Sequence, residues 1–345
     1  MPRNYKIAPR PDPEGNQFVT TDQIEPARTA RTDEIPIIDV SCLYGGGTKA
    51  KMAAAGQLAA ACQNTGFFFI VNHQVDPQLI SETFAQARCF FDLPGAEKAA
   101  LAYNEQQRGY KAPGNITIPG YPPDYKEVLD FGVDFPADHP EVLKRTPLHG
   151  PNQWPDLPDF RSTLLTYYDA VCTTGFDLLR LFALALDLEE TWFLPFHRDP
   201  FITWRIMRYP PQSDLPGQHG TAPHTDFGTL TLLSQHGTPG LEIHTAEGEW
   251  IEAPVIENSF VVNIGDLMAC WTNDRFRSTA HRVINRSGEN RYSIPLFYNP
   301  GFNTVVECLP SCQSSDNPAR YDPIHYGEYI TGIYGRIFSR TAAKT

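Results

Sequence analysis

The chain is short of positive charge, of paired cysteines and of long apolar runs. Lys and Arg number 28 against 40 Asp and Glu, for a formal net charge of −12, and no Lys/Arg-rich run occurs. That balance argues against nucleic acid or an anionic membrane as a partner. No apolar stretch reaches the roughly 20 residues that a membrane-crossing helix needs. The nearest, LLRLFALALDL (178–188), is interrupted by Arg180 and Asp187 and reads as a buried helix. The first thirty residues lack the apolar core of a signal peptide. Seven cysteines, an odd number at irregular spacing, make no disulfide framework and fit a reducing cytoplasm. No internal repeat is found, and no feature calls for an obligate protein partner.

What the chain has in quantity is apolar surface. With 345 residues, 41% hydrophobic and 12% aromatic, it can bury a large core in one compact barrel or sandwich with helical additions. Residues 1–33, rich in Pro, Thr, Arg and Gln, read as an extended or disordered arm. Region 34–158 opens with the strand IPIIDV (35–40), the Ala-rich helix KMAAAGQLAAACQNT (51–65) stopped by Gly66, and the buried strand FFFIV (67–71). Asp76-Pro77 starts a further helix with Leu79, Ile80, Phe84, Ala87 and Phe91 inward. Residues 103–158 read as long loops with one short strand near 128–135. In 159–200, apolar residues at 164, 168, 171, 175, 178, 182 and 186 trace one stripe of a helix packed outside the barrel. From 201 to 310 short strands separated by Gly, Pro and Asn suggest an antiparallel barrel or double sheet. Residues 311–345 end in a helix carrying Tyr329, Ile333, Tyr334 and Phe338 at helical spacing.

The chemistry concentrates in two segments. In HTDFGTLTLL (224–233), His224 and Asp226 lie two apart on an extended stretch, a spacing that turns both side chains to one face. His281, from a distant strand, completes a set of two imidazoles and one carboxylate with open positions, which suits non-haem Fe(II). Arg291 and Ser293 repeat the spacing of two, so guanidinium and hydroxyl face together and can clamp the far carboxylate of a small diacid. 2-Oxoglutarate, chelating iron at one end and anchored at the other, is the expected co-substrate. A second His-x-Asp, His197 to Asp199, sits between two prolines and reads as a surface turn. His219, His236 and His244 read as turn or exposed strand residues.

The string FVVNIGDLMACWTNDRFRSTAHRVINRSGENRYSIPLFYNP (260–300) resembles the second half of the core of the isopenicillin-N-synthase-like iron/2-oxoglutarate dioxygenases. RIMRYPP (205–211) resembles that family's N-Y-Y-P-P strand, with Met207 and Arg208 departing from its first two positions. EIPIIDVSCL (34–43) and GFFFIVNHQVDPQLI (66–80) match its amino-terminal segments, so the likeness spans about residues 34–340. It implies a mostly β fold with flanking helices: a double-stranded β-helix (jelly-roll) core, an α/β N-terminal region and a C-terminal helix. It implies oxidation of a C–H bond of a small organic metabolite by hydroxylation, desaturation or cyclisation, with O2 consumed and succinate and CO2 released. The same pattern also occurs in family oxidases that use no oxoglutarate, and an inactive jelly-roll binding protein is a further alternative. By the resemblance, Tyr209 helps hold the oxoglutarate carboxylate, and Asn263 and Asp266 hold strand-turn geometry. Arg108 and Tyr110 lie near the pocket mouth, and Phe227 and Phe297 either line the pocket or pack in the core. Tyr329, Ile333 and Tyr334 close the site as a lid. No motif selects the organic substrate.

Overall fold

A computed structural model describes residues 24, 26–118, 121–211 and 217–342, with the side chains of 337–342 excepted. The first half runs β1 (Arg28–Thr29), β2 (Ile37–Asp39), α1 (Thr48–Asn64), β3 (Phe67–Val71), α2 (Pro77–Phe91) and α3 (Gly95–Ala99). It continues with β4 (Gly109–Lys111), β5 (Glu127–Gly132), α4 (Pro140–Leu143) and α5 (Phe160–Ala185). Then come β6 (Thr203–Tyr209), β7 (Thr221–His224), β8 (Leu230–His236), β9 (Leu241–His244), β10 (Trp250–Glu252) and β11 (Phe260–Ile264). The chain closes with α6 (Asp266–Trp271), β12 (His281–Val283), β13 (Arg291–Tyr298), β14 (Val305–Val306), β15 (Ile324–His325) and α7 (Tyr326–Ala342).

Local chemistry sets several of these bounds. Asp76 caps α2 by accepting from the Gln78 amide, with Pro77 in the first turn. Gly66 follows α1 at φ +69, and a Cβ there would sit 2.2 Å from the Arg277 carbonyl, so only glycine fits.

Two sheets face each other in a jelly roll. The larger has the order β2-β3-β11-β8-β13-β6-β5-β4, and the smaller β1-β10-β9-β12-β7. The outer face of the larger sheet packs on α1, α2 and α5 through the main core, which includes Phe68, Phe84, Leu164, Phe182, Trp204 and Ile294. Between the sheets, Phe67, Phe69, Leu233, Ile243, Ile251 and Val261 form a second apolar layer.

Some expectations need correction. The 103–158 region holds two strands rather than one, and both extend the larger sheet beyond β6. With three residues between a glycine and a proline-rich loop, β4 is too short to show an alternation. The arm read at 1–33 is described only in part: residues 1–23 and 25 lie outside the described range, while Arg28–Thr29 adds a parallel strand to β10. His197 is fully buried between the rings of Trp271 and Tyr298, and burial pushes its pKa down to about 4. Only Arg198 and Asp199 of that motif are at the surface; the apolar residues of FLPF carry the histidine inward. His219 is likewise buried, edge-on to Tyr121. The side chain of Phe338 lies outside the described residues.

Candidate metal centre

His281 on β12 pairs directly with His224 on β7, which brings the ring centroids to 4.3 Å. Strand β7 stops at His224, and Asp226 lies in the turn that follows rather than on a continuous strand. What turns its carboxylate toward the histidines is the packing of that turn. The Asp266 amide donates to the Asp226 carbonyl at 2.8 Å, and Gly265 approaches so closely that a Cβ would meet the Gly228 carbonyl at 2.2 Å. Asp226 Oδ1 then stands 3.9 Å from Nε2 of both His224 and His281. Among the described residues these three form the one group of three or more metal-ligating side chains, with ligand atoms within 4.8 Å of one another.

Each group is held by a second bond. His224 Nδ1 lies 2.9 Å from the Ala222 carbonyl and His281 Nδ1 3.1 Å from that of Thr279. A carbonyl can only accept, so Nδ1 carries the proton and Nε2 presents its lone pair. Asp226 Oδ2 accepts from Thr231 Oγ1 at 2.6 Å and Asn263 Nδ2 at 2.7 Å, leaving Oδ1 for the histidine side. Burial brings the His224 pKa down to about 3, with His281 adding to the effect. Burial by itself would raise the Asp226 carboxyl; His281, His224, Asn263 and Thr231 together hold it below the usual carboxylate range. Two imidazoles presenting Nε2 and one carboxylate form a donor set that fits a divalent cation.

A second cluster lies on the inner face of the larger sheet. Arg291 pairs opposite Tyr209 and Ser293 opposite Met207, so all four share that face. Arg291 is fully buried; Nη2 donates to Gln235 Oε1 at 2.7 Å, while Nε and Nη1 have no partner among the described residues. Ser293 Oγ is buried and unpartnered as well. The Arg291 guanidinium lies 5.1 Å from the Tyr209 ring centre. Tyr209 Oη donates to Met207 Sδ at 3.3 Å, a weak acceptor, and receives the Thr221 hydroxyl at 3.3 Å. Thr221 in turn takes a bond from Lys126 Nζ at 2.9 Å.

Of the pocket candidates, Phe227 follows Asp226 directly and its carbonyl accepts from the Tyr329 hydroxyl of α7 at 3.3 Å. Phe297 is half-buried on the inner face. Ile333 is buried, and half-buried Tyr334 lies close enough to Arg205 and Asp130 to feel their charges. Arg108 is fully buried against Gly132, where a Cβ would stand 1.9 Å from its Nη2. Tyr110 is not part of this constellation. It pairs opposite Leu129 on the helix-facing side, and its hydroxyl donates to Glu127 at 2.8 Å. A shift of one position from Gly109 sends it away from the barrel interior. Sequence reasoning missed Gln235, Thr231, Lys126 and Arg205. Counting in twos from Tyr209 would have placed Arg205 on the inner face.

Two family models match the chain. Residues 35–157 fit the family model of the N-terminal region of non-haem dioxygenases in morphine synthesis, and residues 194–300 that of the 2OG-Fe(II) oxygenase superfamily. The chain is 37% identical over 319 residues to the 2-oxoglutarate-Fe(II) type oxidoreductase hxnY of Emericella nidulans, covering 89% of this chain and 91% of that protein. A full-length Neurospora crassa protein, solved in complex with alpha-KG, superposes with a TM-score of 0.79 at 30% identity, covering 87% of this chain and 96% of that one. JOX2, solved with 2OG, Fe and JA, gives 0.75 at 25% identity over 92% of this chain and 90% of that one. A chain related to such enzymes along nearly its whole length belongs to the Fe(II)/2-oxoglutarate-dependent dioxygenase family, and it is an oxidoreductase that uses iron, 2-oxoglutarate and O2 on a small molecule.

Proposed function

We propose that His224, Asp226 and His281 hold the iron, and that Arg291 and Ser293, with Tyr209, hold the far carboxylate of 2-oxoglutarate. The observation that carries this reading is the set of orphaned polar atoms: Arg291 Nε and Nη1 and Ser293 Oγ are buried without partners. Buried donors are rarely left unpaired, and a carboxylate accepts from all three. When bound, iron with oxoglutarate and O2 oxidises a C–H bond of the substrate and releases succinate and CO2. The chain's own residues do the rest. Thr231 and Asn263 aim Asp226, the Ala222 and Thr279 carbonyls fix the imidazoles, and the Thr221–Lys126 pair steadies the Tyr209 hydroxyl.

α7 serves as a lid that excludes water from the organic substrate, because Tyr329 ties it to the Phe227 carbonyl beside Asp226 and Tyr334 reaches the β5–β6 side. Phe227, Phe297, Ile333 and the charge of Arg108 line that space. No helix of the described residues is long and apolar enough to cross a membrane. Cys42, Cys62, Cys89, Cys172, Cys308 and Cys312 are free thiols, which supports the cytoplasm as the place of action.

The test is metal and oxoglutarate binding in single variants. His281→Ala and Asp226→Ala should abolish stoichiometric Fe(II) binding and oxoglutarate-dependent succinate release while circular dichroism stays that of the parent. Full turnover in either variant would refute the assignment.

A further inference from the structure

We propose that the organic substrate is a carboxylate, received by Arg205 and Lys111 on the inner face of the barrel. This rests on the reading of the iron and oxoglutarate sites above, since it assigns a further polar group on the same inner face. On β6, Arg205 shares a face with Met207 and Tyr209, and it pairs opposite Asp130 of β5. Arg205 Nε stands 2.8 Å from Asp130 Oδ1, and Lys111 Nζ of β4 stands 3.1 Å from Asp130 Oδ2. Arg108 adds a third positive charge, held by the Gln106 carbonyl at 2.8 Å and pressed against Gly132. Two cations therefore meet one carboxylate, and Arg108 lies near enough to feel its charge. The next carboxylate outward, Asp134, is taken by Arg161 at 3.1 Å. For Arg205, Asp130 is the only carboxylate within ion-pair distance among the described residues.

Were this a structural ion pair, one cation would satisfy Asp130. Packing a second against it, with Arg108 near by, costs solvation and mutual repulsion. Burial, together with the charge of Arg205, brings the Lys111 ammonium down to about 8 even with Asp130 in contact. An incoming anion would relieve that excess. The surroundings are built for an organic acid: the Arg205 guanidinium lies 5.2 Å from the Phe297 ring centre, and Lys111 Nζ lies 3.5 Å from that of Tyr103. The position also matches the reaction. Thr231, which bonds Asp226, pairs with Phe297, and Phe297 pairs with Thr203, two residues before Arg205. Two strand spacings and one two-residue step put Arg205 roughly 12 Å from Thr231 along the sheet. A metabolite with its reacting carbon at the metal and its carboxylate at Arg205 spans such a gap.

The experiment is anaerobic calorimetry on the Mn(II)- and oxoglutarate-loaded protein with a panel of small carboxylic acids, their methyl esters and matched phosphate monoesters. We expect the binders to be acids, with the corresponding esters weaker by about thirtyfold or more, the cost of leaving a buried charge unpaired. Arg205→Gln should weaken the best acid by a similar factor while the oxoglutarate isotherm keeps its midpoint. Arg205→Lys, which keeps the ion pair with Asp130 and so guards against misfolding, should still lose about tenfold because the planar fork is gone. Binding by neutral compounds or phosphate esters alone, no binding by any acid, or equal affinity of parent and Arg205→Lys would each overturn the proposal. Loss of the oxoglutarate isotherm in the parent would instead refute the iron and oxoglutarate assignment.

Discussion

Arg291 illustrates how one side chain is prepared for a ligand. Gly240 leaves room beside it, since a Cβ there would be 3.3 Å from Arg291 Cδ and 2.6 Å from the Ile284 carbonyl. Gln235 takes one nitrogen and fixes the plane of the guanidinium, and the other two nitrogens stay without a partner among the described residues. Arg291→Gln should therefore weaken oxoglutarate binding by about 2–5 kcal/mol, the usual loss when one member of a buried charge pair is removed. Ser293→Ala should cost about 1.5–3 kcal/mol, a single bond to a charged group. Both are read from oxoglutarate titrations, and parent-like midpoints would place the anchor elsewhere. Thr231 acts one step further out. Thr231→Val removes the 2.6 Å bond to Asp226 at nearly constant volume, and iron affinity should fall about ten- to a hundredfold, as measured by competition with a chelator.

At the level of elements, β5 joins the catalytic chamber to the helical layer because its two faces do different work. Its inner face carries Val128, Asp130 and Gly132, and its outer face Glu127, Leu129 and Phe131. Glu127 is buried and accepts from Lys98 Nζ at 2.6 Å, from Tyr110 Oη at 2.8 Å and from Arg208 Nη2, tying α3, β4 and β6 to one carboxylate. Burial raises its pKa, yet those three partners outweigh burial and leave it below the usual 4.5. A group depressed on folding contributes its stability above 4.5 and loses it as pH falls through the lower folded value. Glu127→Gln should cost about 3–5 kcal/mol near neutral pH, since it strands buried cations. In a series of urea midpoints from neutral to acid pH, the gap to the parent should close below 4.5. A gap that stays constant across the series would mean that the carboxylate's charge is not what matters.

For the whole molecule, the site is made by closing one sheet on the other. The three candidate metal ligands belong to the smaller sheet and the turn after β7, while Arg291, Ser293, Thr231 and Asn263 belong to the larger one. A ligand that touches both sheets stabilises their association. Mn(II) with oxoglutarate, each at a hundredfold excess over its Kd, should add about 2.7 kcal/mol per independently bound ligand to unfolding. Thermal denaturation with and without a chelator checks this. A midpoint indifferent to both ligands would mean that neither binds the folded protein. In the proposed reading α7 closes the site from outside. Its buried Tyr326, Tyr329, Ile330 and Ile333 belong to the main core, so deleting the helix should cost fold stability as well as access control. Tyr329→Phe is the gentler change, removing the 3.3 Å bond to the Phe227 carbonyl. It should raise succinate formed per product formed, once a substrate is in hand.

The oxoglutarate candidates were legible in the chain alone because strand alternation is a local rule: residues two apart share a face, whatever the rest of the fold does. That rule put Arg291 with Ser293, and the family likeness added Tyr209. The helix over 160–185 and the Asp76 cap were legible for the same reason, since periodicity and capping act within a few residues. Position relative to distant strands was not legible. Asp226 meets its histidines because Gly265 and Asp266 pin a turn, His197 is buried because Trp271 and Tyr298 come from elsewhere, and Tyr110 faces the helices because β4 pairs with β5 in one register. The Arg205–Lys111–Asp130 cluster joins three strands, two of which have α4 and α5 between them in the chain. Sequence sets which face a side chain takes on its own strand, but which partners wait on that face is a long-range matter that only the closed barrel decides.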